Sequence, residues 1–128
     1  MTSTSLTTRI TLTLFFVSLL ALLSLVPGHH KPGDSAFIWL VAHTPTLAQK
    51  LMHVVMYGVL TLMLVWTFDG IETRTLRLLV SLVIAIAFGA AMEWCQTMVP
   101  GRYASAYDIA LDAAGAALGL VTASFMLG

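Results

Sequence analysis

The side chains in this sequence best suited to binding charged groups or moving protons are Lys50, His53, Tyr57, Glu93, Gln96, Arg102, Asp108 and Asp112. Lys50, His53 and Tyr57 recur at i, i+3 and i+7, a spacing that lays them along one stripe of a helix. Glu93 and Gln96 are three apart and share a face. Asp108, Asp112, Gly115 and Gly119 follow i, i+4, i+7 and i+11, so a helix there carries carboxylates at one end of a stripe and no side chain below them. Arginine offers a bidentate contact to phosphate or carboxylate, and lysine a point contact. His53, Glu93 and Asp108 are the catalytic candidates. His53 could serve as general base or acid, with Glu93 or Asp108 either orienting it or holding a divalent metal with Asp112. No nucleophile motif, phosphatase signature or spaced metal-ligand motif accompanies them, and nothing calls for a cofactor. His29, His30 and His43 read as solvated loop residues, and the lone Cys95 as a packing residue.

What must position these groups follows from composition. Of 128 residues, 59% are hydrophobic and 9% charged, with a formal net charge of 0. A small soluble domain has too much surface to cover with so few charges, so lipid must cover part of it. A neutral chain has no basic field for nucleic acid, and no nucleic-acid-binding motif appears. A single cysteine excludes an internal disulfide.

Four apolar runs predict transmembrane helices over about 10–26, 51–68, 76–94 and 109–127, with breakers between them at Pro27-Gly28, Pro32-Gly33, Asp69-Gly70 and Pro100-Gly101. The expected fold is all-α, a single-domain membrane four-helix bundle. The first run follows Arg9 as a signal peptide would, but Leu25-Val26-Pro27 is not a small-x-small cleavage site, so it reads as a retained helix. Residues 36–42 (AFIWLVA) are too short to span, and read either as a shallow interfacial segment or as a loop packed on the helix tops. Trp66 and Trp94 read as interface aromatics at opposite faces, and Tyr103 as another. Arg9, Arg74 and Arg77 fall at one face, which puts both termini in the cytoplasm.

With four spans, Lys50, Glu93, Arg102 and Asp108 fall at one membrane face, the outer one in this orientation, and Asp112 lies one turn deeper. Ionised groups facing acyl chains cost about 2.5–3.5 kcal/mol each at mid-membrane, so these must face one another or water. Two cations then meet three carboxylates, and the spare carboxylate suits a bound proton or cation. The alternative is structural, with Lys50 and Arg102 pinning helix ends by pairing with Glu93 and Asp108, a weak source of stability. Gly115-x-x-x-Gly119 lets another helix approach closely, within the chain or in a homo-oligomer.

The ordered set Lys50-x-x-His53-x-x-x-Tyr57, Glu93-x-x-Gln96-x-x-x-Pro100-Gly101-Arg102, then Asp108, position 112, Gly115 and Gly119, resembles the VanZ-like family of small bacterial membrane proteins. The likeness covers roughly residues 49–119. The family commonly has Asp where this chain has Gln49, and Asn where it has Asp112. The resemblance implies a multi-pass protein of the bacterial inner membrane. The family takes its name from a member linked to low-level resistance to teicoplanin, which acts on cell-wall precursors outside the membrane.

Three functions compete. The first is an envelope protein whose outer-face site binds a lipid-linked or cell-wall precursor head group through Lys50, His53, Tyr57, Glu93, Gln96, Arg102, Asp108 and Asp112. The second is a membrane enzyme acting on a polyprenyl-phosphate or other lipid-linked substrate. The third, a transporter, ranks last, because no ionisable path continues toward the cytoplasmic side.

Overall fold

The computed structural model describes residues 4–25, 35–36, 39, 46–99 and 106–127. Its helices are α1 (Leu6–Ser24), α2 (Thr46–Thr67), α3 (Arg74–Gln96) and α4 (Ala106–Met126), and there is no strand among the described residues. They hold 19, 22, 23 and 21 residues, so each is about 28–35 Å long, enough to cross a ~30 Å hydrocarbon core. All four are long and apolar enough to span a membrane. The chain is therefore the all-helical membrane bundle expected of it.

Every helix begins before its apolar run does. α1 starts at Leu6 rather than near Ile10 because Ser5 caps it, its hydroxyl accepting from the Thr8 amide at 3.1 Å. α2, α3 and α4 likewise start at Thr46, Arg74 and Ala106, inside polar flanks. Hydropathy marks the part of a helix that lipid surrounds, whereas hydrogen bonding carries the helix on into the interface. In the segment expected to be interfacial, the Trp39 amide donates to Ser35 O at 3.1 Å, one turn of helix, and Trp39 is exposed. The rest of residues 36–42 beyond Ala36, with His29, His30, Lys31, His43, Arg102 and Tyr103, lies outside the described residues.

Side-chain contacts fix an up-down-up-down arrangement. At one end, Arg9 of α1 pairs with Asp69 and donates from Nη1 to Trp66 O at 3.0 Å. Arg77 of α3 donates from Nε to Val65 O at 2.7 Å, and Arg74 from Nη2 to Ser124 O at 2.6 Å. Those carbonyls belong to the last turns of α2 and α4, where a helix leaves its acceptors without partners. Arginines at the starts of α1 and α3 thus cap the ends of α2 and α4. The Arg9 guanidinium also lies 6.0 Å from the Trp66 ring centroid. The Thr13 and Thr67 hydroxyls share a 2.7 Å hydrogen bond across α1 and α2.

The closest helix contact is between α2 and α4. A Cβ on Gly115 would fall 2.8 Å from Val54 Cα, and one on Gly119 would fall 2.9 Å from Gly58 Cα. Those approaches are too short for any side chain, so the two backbones touch. Both glycines are thereby covered within the chain. Around this seam Tyr57, Leu60, Leu64, Ala85, Ala116 and Leu20 form the buried core. Large apolar side chains on the outward faces, such as Phe15 on α1 and Phe125 on α4, are exposed, as suits helices long and apolar enough to cross a membrane.

Gly115→Ala and Gly119→Ala should each lower the unfolding midpoint in detergent micelles, at a cost of about 1–3 kcal/mol for overpacking. Gly70→Ala, with nothing within 4 Å of the added atom, should leave it unchanged. Identical midpoints for all three variants would contradict the backbone contact.

Candidate functional site

The glycine seam sets the register between α2 and α4, and the first polar pair above it is His53 with Asp112. His53 precedes Val54, the residue that covers Gly115, and Asp112 lies one turn before Gly115 on the same face of α4. The His53 ring meets Asp112 Oδ1 through Nδ1 at 2.7 Å. A carboxylate accepts, so Nδ1 carries the hydrogen, and in the neutral ring Nε2 is the nitrogen with the lone pair. Asp112 is almost wholly buried, whereas 23% of the His53 side chain remains exposed. The pair is anchored at its carboxylate and open at its imidazole.

This corrects one expectation. Nδ1 of His53 is held by Asp112, not by Glu93 or Asp108. Asp108 lies a turn nearer the start of α4, above the level at which the glycines bring α2 close. Asp112 lies one turn closer to that level.

Tyr57 is buried one turn further along α2, stacked on His53 with ring centroids 6.3 Å apart and planes 12° from parallel. Phe88 of α3 lies 6.2 Å from Tyr57 on its other flank. Gly89 leaves room for both site residues. A Cβ there would fall 2.9 Å from Asp112 Oδ2 and 3.1 Å from Tyr57 Cε1. Sequence reasoning misses Gly89, although its signal is present: Ser81, Ala85, Gly89 and Glu93 recur every fourth residue along the buried face of α3.

Glu93 is buried on the face of α3 that carries Gly89, and Asp108 lies one turn before Asp112 on α4. Gln96, expected in the ligand set, donates from Nε2 to Ser24 O at 2.9 Å and so caps the end of α1. Lys50 Nζ stands 4.8 Å from the Tyr107 ring centroid, a cation over an aromatic face at the start of α4. Arg102 lies outside the described residues, so its relation to this cluster is an expectation from sequence alone. Among the described residues, no group of three or more His, Cys, Asp or Glu side chains is arranged to hold a metal ion.

One end of the bundle thus gathers a cation, a partly exposed imidazole held through Nδ1, and carboxylates. That set can neutralise an anion, accept hydrogen bonds from hydroxyls and take up a proton. Among family models, VanZ/LLP1 matches the chain over residues 2–127. No curated protein and no solved structure matches it.

Gly89→Ala should press on Asp112 and Tyr57 and shift the His53 ring ¹⁵N resonances, with Gly70→Ala as the silent control. Unchanged His53 resonances in Gly89→Ala would show that α3 does not abut the pair.

Proposed function

The chain belongs to the VanZ/LLP1 family, and from that premise we propose that this multi-pass bacterial membrane protein binds the polar head group of a lipid-linked or cell-wall precursor. The observation that carries this reading is the buried Asp112 carboxylate holding a partly exposed His53 at one end of the bundle. Ionisable groups inside a membrane protein are expensive, and a purely structural role is a poor return on that expense. Lys50 and Arg102 contact the phosphate or carboxylate of the ligand, while His53, Glu93 and Asp108 accept its hydroxyls. Tyr57 and Asp112 hold the imidazole, and Gln96 supports the site by fixing α1.

The head group comes from the outer leaflet of the inner membrane, with both termini in the cytoplasm. Support comes from Arg9, Arg74 and Arg77, which gather at the bundle end opposite His53, as cytoplasmic basic residues do. Binding on the outer side would link the protein to glycopeptide resistance through shared precursors. A homo-oligomer needs a face other than the Gly115–Gly119 stripe, which α2 covers.

Purified protein in nanodiscs should bind a polyprenyl phosphate. Lys50→Ala and Arg102→Ala should each weaken binding about tenfold, equivalent to about 1.4 kcal/mol. Equal binding by wild type and both variants, or by none of them, removes the reading. Reporters fused to either terminus should be active only in the cytoplasm, and activity outside would invert the orientation.

A further inference from the structure

We infer that His53 is a general base and that this site hydrolyses a lipid-borne diphosphate. The inference rests on the head-group reading and deepens it from binding to turnover.

Three features of the site point this way. The first is the tautomer. Asp112 accepts from Nδ1 at an N···O distance of 2.7 Å, so in the neutral ring Nε2 is the basic atom. The second is rigidity. Asp112 is 2% exposed and Tyr57 stacks on the ring at 6.3 Å, so the imidazole is held on one edge and one face. A base that needs no reorientation has part of its entropic barrier removed in advance. The third is access. His53 keeps 23% of its side chain exposed on the stripe that carries Lys50 one turn nearer the membrane surface. A base facing an interface beside a cation suits an anionic head group whose tail stays in lipid.

The leaving group narrows the substrate. An alcohol leaving as alkoxide needs a strong acid beside it. A phosphate group, whose second pKa is about 6, departs without one. In the step proposed, a water oxygen attacks the terminal phosphorus and forms a P–O bond as a water proton passes to Nε2. The anhydride P–O bond breaks, and its electron pair stays with the lipid monophosphate. The imidazolium then returns its proton to solvent. One water is consumed, and one inorganic phosphate and one lipid monophosphate are formed. His53 is the catalytic residue, and Asp112 is a positioning residue that acts through it.

The test uses the full chain in mixed micelles with farnesyl diphosphate, reading phosphate release and binding separately. Wild type should release inorganic phosphate. His53→Asn keeps a side-chain donor for Asp112 but lacks Nε2; it should lose turnover by at least about 10³-fold, far beyond whatever binding is lost with its ligand contact. Asp112→Asn should lower kcat by about 10²- to 10⁴-fold with KM little changed, as expected when an imidazole loses the group that sets its tautomer. Matching thermal midpoints for His53→Asn and wild type would tie the loss to chemistry. Binding without phosphate release by wild type, or full turnover by His53→Asn, overturns the catalytic inference and leaves the binding reading intact. Absence of binding overturns both.

Discussion

The direct contact between the backbones of α2 and α4 is the constraint from which the rest of the site follows. Gly115 and Gly119 present no side chain to Val54 and Gly58, so the two helices close to a separation that any larger residue would forbid. In a bilayer such closeness matters more than in water, because packing rather than solvent exclusion holds helices together. Once the register is set, His53 and Asp112 have little freedom to miss each other. A hydrogen-bonded ionisable pair then occupies a position where either group alone would be costly. The small residues thus do the positioning, and the polar residues above them gain their geometry from it.

The two ends of the bundle solve different problems with the same chemistry. At one end, guanidinium groups of Arg9, Arg74 and Arg77 satisfy carbonyls left over by the last turns of α2 and α4. Each contact also ties neighbouring helices together. At the other end, Gln96 does this for α1, while the charged groups cluster around His53. One end is thus tied by donors to backbone, and the other retains side chains with chemistry to offer a ligand.

The sequence makes the helix number and the broad grouping of charges legible, because both follow from apolar run length and from alternation of direction. Four spans suffice to put Lys50, Glu93, Asp108 and His53 near one end. Helix starts are less legible, since the Ser5 cap and the flanks around Thr46 and Ala106 are helical but not apolar. Spacing names His53 and Asp112 as candidates but does not pair them, because which carboxylate reaches Nδ1 depends on relative depth to within a turn. That depth is set by where Val54 meets Gly115, a contact between backbones with no side-chain signature on the Val54 side. Gln96 shows the same limit. Its place on the face of Glu93 is plain from spacing, but its partner is a main-chain oxygen of α1, which no residue type reveals.

A double-mutant cycle between His53 and Asp112 probes the link from seam to site most directly. Unfolding free energies in bicelles for His53→Ala, Asp112→Ala and the double variant should depart from additivity by about 0.5–3 kcal/mol, as for residues in direct contact. Additivity within about 0.3–0.5 kcal/mol, the range of independent residues, would mean that the two side chains do not meet in the membrane and that the glycine contact positions nothing between them.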